Sequence, residues 1–489
     1  MDVVVGIDVG TQSSKLVACD AAGSIVTEER IAHGVSRPAP GHFEQDAEAV
    51  WWHDVATLLK RFAERQDLRA LAVCVSAIGP TALPTDEAGA PLRPGILYGI
   101  DMRARQEIAD LGQRLGERAS IEICGSALST QSPIPKLLWL KAHEPNVFAG
   151  MRRWFTAHSW LVHKLCGAYA VDHHSASQSV PLYDVPKATW REDLWSELLP
   201  GVAAPELVWP GERVGAIQAE ASRATGLPVS TPVVMGTVDA WAEAYSVYAD
   251  RPGTTMIMYG STFFFIAESA GFAASDKFWG TRSVRRDSFS LAGGMSTGGL
   301  VLDWLAKLFS TDVGTILAGA TAGGGGPSPL LALPYLSGER TPFADPDVRA
   351  TLFGMDLDTG RDEVCRAFVL GLALAVRDNL DAMRAETGSG EDYVAVGGGA
   401  NSAALLQIIS DVAGITQTVP KRTIGAALGD ARLAAESLGW DTAQENWNPA
   451  ERIVRPAEGA RAAFEPMFAR FKDLYRSTRH LQAPTGAGS

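Results

Sequence analysis

The sequence predicts an α/β protein built as two lobes, and three observations lead there. The 489 residues exceed what one hydrophobic core ordinarily supports. A strand, small-residue turn, strand pattern at the start returns near the middle of the chain. Short apolar runs also end repeatedly in glycine turns that feed helix-forming stretches.

The opening reads as a meander, with strands at Val3 to Ile7, Lys15 to Cys19 and Ser24 to Ile31 separated by turns at Gly10 to Ser13 and Ala21 to Gly23. Asp46 has the position of an N-cap for a helix whose Trp51, Trp52, Val55, Leu58 and Leu59 share one apolar face. Thr255 to Tyr259, the turn Gly260-Ser261-Thr262, and Phe263 to Ala267 repeat the opening pattern and suggest an internal duplication.

Val233 to Asp239 reads as a buried strand that ends in a glycine-bearing turn before a helix starting near Ala240. The polar turn Asp250-Arg251-Pro252-Gly253 follows, so the lobes are expected at residues 1–248 and 249–489. Thr359-Gly360-Arg361-Asp362 has the form of a capping box, continued by a long amphipathic helix through Leu380. Val394 to Val396 is a strand entering Gly397-Gly398-Gly399-Ala400-Asn401, followed by a helix with Leu405, Ile408, Ile409 and Val412 on one face. The glycine-rich stretch from Thr321 to Pro327 reads as a mobile surface loop.

Composition narrows the function. A net charge of −13 disfavours nucleic acid and acidic membrane surfaces, which are bound through clustered Lys and Arg. The five cysteines lack C-x-x-C spacing, so neither a disulfide framework nor a zinc cage is indicated. Met1 to Asp8 has no basic region or long apolar run, and a cytoplasmic location is expected. The nine histidines, including His158, His163, His173 and His174, have no metal spacing and read as surface or satisfied core residues.

The strongest chemical signal is Asp8-Val9-Gly10-Thr11-Gln12-Ser13-Ser14-Lys15. It sets a carboxylate at the end of a buried strand beside a tight turn of small and hydroxyl residues. Glycine admits close backbone approach to an anion, Thr11 and Ser14 can donate, Lys15 can neutralise charge, and Asp8 can orient Mg²⁺ directly or through water. A hairpin turn with an Asp cap is the plainer reading. The turn is not a Walker loop, because the G-x-x-x-x-G-K-[ST] spacing is absent and it joins two antiparallel strands.

Together with Gly236-Thr237-Val238-Asp239, Gly260-Ser261-Thr262, Gly293-Gly294, Gly298 to Leu305, Pro334 to Pro342, Arg366-Ala367 with Gly371, and Gly397 to Asn401, the opening motif resembles the FGGY family of carbohydrate kinases of the actin-like ATPase superfamily. The resemblance runs over nearly the whole chain. It implies two actin-like (ribonuclease H-like) lobes, each a mixed sheet with helices on both faces, and an active-site cleft between them. It implies ATP with Mg²⁺ as cofactors and a small-molecule sugar as the partner, with a homodimer as the assembly considered and neither nucleic acid nor membrane bound.

By that resemblance Asp239 is the general base, and Asp8 and Asp239 are the metal-side carboxylates. Gly10, Thr11, Gln12, Ser14 and Lys15 face the phosphates, and Gly260, Ser261, Thr262, Gly298, Gly398, Gly399 and Asn401 line the nucleotide. Asp101 and Arg103 match a segment bordering the sugar, with Ile78, Gly79, Asp239 and Ala240 beside it. The plainer readings are an N-cap for Asp239, ordinary turns for the glycines and a surface salt bridge for Asp101 with Arg103.

Among the family's sugars, the opening motif and Leu137 to Lys141 resemble xylulokinases and point to D-xylulose as substrate. The pocket departs from that pattern. Ser76-Ala77-Ile78-Gly79 stands where xylulokinases usually carry Gln-Met-His-Gly, Ala240 replaces the usual Asn, and one extra residue precedes Asp101. Another ketopentose, a pentitol or a hexulose remains open at this stage, as does a non-catalytic actin-like ATP-binding protein.

Overall fold

The computed structural model describes residues 1–321, 326–388 and 390–482. The first sheet contains β1 (Asp2–Val9), β2 (Ser13–Cys19), β3 (Ile25–Ala32), β4 (Arg69–Ala77), β5 (Arg213–Ala216) and β6 (Pro232–Val238), in the order β5-β6-β4-β1-β2-β3. β1, β2 and β3 form an antiparallel meander, whereas β4 runs parallel to β1 and β6 parallel to β4. The carboxyl ends of β1, β4 and β6 therefore share one end of the sheet, where open α/β sheets bind ligands. Asp8 is there beside Ser76, and Asp239 follows directly after β6.

The second sheet contains β7 (Thr254–Tyr259), β8 (Phe263–Ser269), β9 (Trp279–Arg282), β10 (Phe289–Met295), β11 (Asp392–Val396), β12 (Gln417–Pro420) and β13 (Ala450–Val454). Its order is β9-β10-β8-β7-β11-β12-β13. The hairpin of β7 with β8, with β11 parallel to β7, repeats the arrangement of β1, β2 and β4. The duplication read in the sequence is thus a duplication of topology. The two copies differ at both edges: the antiparallel edge strand beyond the parallel core precedes its partner in the first sheet and follows it in the second, and the second sheet carries β9 as an extra strand at the opposite edge.

Asp46 caps the predicted helix through Oδ1, which accepts from the Ala49 N–H at 2.8 Å; a π-helical turn over Ala47–Trp52 then leads into α1 (His53–Ala63). Helix α2 (Asp239–Ser246) follows β6 directly, with Gly236 inside the strand and not in the expected turn, and α3 (Gly299–Leu308) begins at the Gly298-Gly299 turn. The long helix α4 (Arg361–Thr387) differs in its cap from the expectation. Gly360 is the N-cap, its N–H donating to the Glu363 carboxylate at 3.1 Å, while the Thr359 hydroxyl turns back to Asp356 at 2.8 Å. Most of the Thr321 to Pro327 stretch lies outside the described residues. No described helix is long and apolar enough to cross a membrane.

α5 (Ala426–Ser437) belongs to the second half of the chain yet lies directly on the first sheet. Gly6 permits this, because a Cβ there would stand 2.0 Å from the Ala427 carbonyl oxygen and 2.4 Å from the Ala431 nitrogen. Gly429 does the same for α2, with a Cβ that would lie 1.9 Å from the Ala242 oxygen. Each sheet has its own apolar core, and a third cluster joins them through Val4, Cys74, Val234, Trp241, Met256 and Ala431. Each large apolar side chain buried there contributes about 1.5–3 kcal/mol. The sheets are held as walls of one cleft.

Candidate functional site

A cavity of about 550 Å³ opens between the lobes and is lined from the first by Asp8, Gly79, Tyr98, Gln131 and Asp239 and from the second by Thr262, Trp279, Arg340 and Gly425. Asp8 and Asp239, far apart in sequence, meet here because β1 and β6 flank β4 in parallel. Glu243, one turn along α2, faces the same space.

Three carboxylates in one enclosure disfavour ionisation. Burial pushes Asp8 well above the ordinary carboxylate range, with Asp239, Asp430 and Glu243 adding to the shift and Lys15 opposing it. Burial raises Asp239 to about 6, partly offset by the Ala240 N–H, which donates to Oδ1 at 2.8 Å, and by His158. Glu243 rises to about 7, again from burial and then from Asp239. Behind them Asp430 on α5 is raised to about 8 by burial, although the Ser76 hydroxyl donates to it at 2.5 Å and the Ser76 N–H at 3.1 Å.

Asp8 Oδ1 is buried without a hydrogen-bond partner. An orphaned carboxylate oxygen facing a second carboxylate suits a hard divalent cation, which takes oxygen ligands and keeps waters and phosphate oxygens in its shell. Among the described residues no ready-made cluster of three metal-binding side chains occurs, and Asp8 and Asp239 are carboxylates that could face such an ion.

The rest of the opening motif shapes the turn and lines neither cavity. The Gly10 N–H closes the turn on the Ser13 carbonyl at 3.0 Å, and the Thr11 hydroxyl lies 3.3 Å from the Tyr98 hydroxyl. Gln12 is exposed. Ser14 is buried and donates to Asp54 at 2.8 Å, and Lys15 Nζ donates across the lobes to the Ile424 carbonyl at 2.7 Å. Ser14 and Lys15 thus carry structural bonds inside the motif.

A second cavity of about 330 Å³ is lined by Gly260, Ser261, Gly299, Leu302, Gly398 and Gly399 among others. A Cβ on Gly398 would meet no protein atom within 4 Å, so its open face belongs to the cavity. Gly298 sits underneath, its N–H donating to the Ser261 carbonyl at 3.0 Å, while Asn401 is exposed and Thr262 lines the larger cavity instead.

On the sugar side, Gly79 and Ala240 line the larger cavity, and Ile78 is buried behind it. Asp101 and Arg103 form a buried pair at 2.8 Å, with Arg103 also bonded to Glu44 at 2.8 Å and Asp101 accepting from the Phe43 N–H at 2.7 Å. They line neither of these cavities. The Asp101 N–H donates to the Tyr98 carbonyl at 3.0 Å, so the pair braces the segment that presents Tyr98.

A second brace escaped the sequence. His158 bonds Asp172 at 2.8 Å, and Asp172 accepts from Thr237 at 2.8 Å, two residues before Asp239. Despite its burial, Asp172 is held at about 2 by His158 and His174. His158 and His174 are satisfied core residues, the latter bonded to the Arg282 carbonyl at 2.8 Å. Tyr98, Gln131, Trp241, Trp279, Arg340 and Asp430 were also not singled out; Arg340 lies inside a quoted motif, which was the available signal.

Known proteins carry the same frame. Residues 3–245 match the N-terminal domain, and residues 255–438 the C-terminal domain, of the FGGY family of carbohydrate kinases. The chain belongs to that family. It is 30% identical to the xylulose kinase of Escherichia coli (strain K12) over 495 residues, covering 98% of this chain and 100% of that one. The crystal structure of xylulose kinase from Rhodospirillum rubrum superposes with a TM-score of 0.91 at 26% identity, covering 98% of this chain and 99% of that one. A kinase structure from Brucella ovis, described as a xyloylose kinase, gives 0.90 at 25% identity, covering 98% and 100%. The protein is a carbohydrate kinase of two-lobed α/β fold, and its family uses ATP with a small-molecule sugar.

Proposed function

We propose that this FGGY kinase transfers the γ-phosphoryl group of ATP to the terminal hydroxyl of D-xylulose, giving D-xylulose 5-phosphate. The observation that carries the reading is the convergence of Asp8 and Asp239 on one cavity at the carboxyl ends of parallel strands. Residues 1–248 furnish the sugar and phosphate side in this reading, and residues 249–489 the nucleotide side, with Gly260, Ser261, Gly398 and Gly399 against the nucleotide.

Asp239 acts as general base. It takes the proton of the attacking hydroxyl as the new bond to phosphorus forms and the bond to the ADP oxygen breaks. A carboxylate near 6 is ionised at neutral pH yet basic enough to accept that proton. Asp8, with Asp239, would hold Mg²⁺, which supplies charge neutralisation at the terminal phosphates. The lobes exclude water, which would otherwise be phosphorylated in place of sugar.

Support for D-xylulose comes from the 30% identity over the full length of the Escherichia coli relative. One observation favours another ketopentose, a pentitol or a hexulose: next to Asp239 the wall is Gly79, Val238 and Ala240, without the side-chain polar groups that the xylulokinase pattern places there. The test is ADP release by the purified chain across a panel of ketoses and polyols. D-xylulose should give the highest kcat/KM; preference for another sugar by tenfold or more would replace the substrate, and ADP release indifferent to every sugar would overturn the reading.

A further inference from the structure

The cavity holds Asp8, Asp239 and Glu243, and Arg340 is the one cationic residue among those lining it. Lys15, the cation whose charge opposes the Asp8 shift, is committed to the Ile424 carbonyl at 2.7 Å. Carboxylates and one divalent ion leave phosphate charge that further donors must meet, and a guanidinium is a strong donor for it.

Arg340 is built to point where it does. Its Nη2 donates to the Met295 carbonyl at 3.0 Å, and its own N–H donates to Glu339 at 2.8 Å, whose carboxylate also accepts from the Ser296 N–H at 2.7 Å. The residue nonetheless remains exposed to the cleft, and Nε and Nη1 have no protein partner among the described residues. Gly294 on β10 makes room, since a Cβ there would stand 2.8 Å from Arg340 Nη2. Arg340 lines the same cavity as Tyr98 and Asp239. Burial raises the Tyr98 phenol, Asp239 raises it further and Arg340 opposes them, so Tyr98 lies within the fields of both; its hydroxyl meets Thr11 of the opening turn at 3.3 Å.

We infer that Arg340 is a catalytic residue that reaches from the second lobe to donate hydrogen bonds to the equatorial oxygens of the phosphoryl group in transfer. It rests on the reading that transfer takes place beside Asp239. A planar guanidinium with free donors matches phosphate oxygens in a way that a point charge does not. Charge spreads over those oxygens while the acceptor oxygen bonds to phosphorus and the phosphorus bond to the ADP oxygen breaks. Arg340 exchanges no proton in that step; the acceptor proton goes to Asp239. Donation from the second lobe also ties turnover to closure, because the first lobe alone carries the base but not this cation.

The experiment compares Arg340→Gln, Arg340→Lys and Gly294→Ala with the unaltered chain, using the best sugar found in the panel. Removal of one such stabilising group costs about 10²–10³ in kcat. Arg340→Gln should therefore lose about that factor with the sugar KM within about threefold, Arg340→Lys should recover only part, and free guanidinium added to Arg340→Gln should restore measurable turnover. Gly294→Ala, which displaces the guanidinium without removing it, should lower kcat in the same direction. Unchanged kcat in Arg340→Gln, or a rise confined to the sugar KM, which would mark a contact with the sugar itself, overturns the inference. Asp239→Asn separates the two readings: if it is inactive while Arg340→Gln is active, only the Arg340 role fails, whereas an active Asp239→Asn removes the acceptor reading beneath it.

Discussion

The seat of α5 on the first sheet predicts a large effect from the smallest substitution, Gly6→Ala. The added Cβ would lie 2.0 Å from the Ala427 oxygen, against about 3.4 Å for an ordinary contact, so the helix backbone must retreat by about 1.4 Å. Overpacking of this kind costs about 1–3 kcal/mol. The same retreat lengthens the 2.5 Å bond from Ser76 to Asp430 beyond hydrogen-bond range, and stranding buried polar groups costs about 1–3 kcal/mol more. Equilibrium urea unfolding should show a loss of about 2–6 kcal/mol. Gly34→Ala is the control, because a Cβ there meets nothing within 4 Å and should change stability by less than about 0.5 kcal/mol. The shift should also lower kcat, since Ile424, Gly425 and Ala426 at the start of α5 line the cleft. A Gly6→Ala protein as stable as the control would refute this view of how the lobes are joined.

Further predictions follow from the same geometry. Because the base must be ionised, kcat/KM should fall about tenfold per pH unit below about 6 and level off above it, as Asp239 is raised to about 6 by burial; a pH-rate profile checks this, and an acid limb near the ordinary 3.8 would contradict it. Gly398→Val should raise the KM for ATP by about tenfold or more, about 1.4 kcal/mol, with little change in melting temperature, because a Cβ there meets no protein atom within 4 Å and Gly398 lines the second cavity. Asp172→Ala should cost about 3–5 kcal/mol in urea by removing the buried partner of His158 and the acceptor of Thr237 in the core. Its carboxyl is lowered to about 2 when folded against an unfolded value of 3.8, so its stabilisation is complete above about pH 4 and is lost as the pH falls toward 2. Acid unfolding of the variant compared with the parent measures that difference.

The fold was legible where local pattern decides it. The β1 and β2 hairpin, its copy in β7 and β8, and the helix after Asp46 are written in alternation, turn residues and caps. What escaped depends on long-range placement. Nothing near Asp430 indicates that α5 crosses to the first sheet; that follows from Gly6, a residue whose neighbours are more than four hundred positions away. Asp8 and Asp239 could be named from their motifs, and so could the glycines of the second cavity. Ser14 and Lys15 share the opening motif but turn to Asp54 and Ile424, partners on opposite sides of the strand, because neighbouring residues of a strand point to opposite faces. Asp101 and Arg103 were legible as a pair, while their burial against Glu44 and Phe43 was not.

The central claim is that the carboxylate following β6 removes the proton of the attacking alcohol. The direct measurement is single-turnover phosphoryl transfer by Asp239→Asn alongside nucleotide binding and melting temperature on the same preparation. The account predicts a folded protein that binds ATP and transfers about 10²–10⁴ times more slowly. Transfer at near the parent rate by a protein with intact nucleotide binding would contradict it.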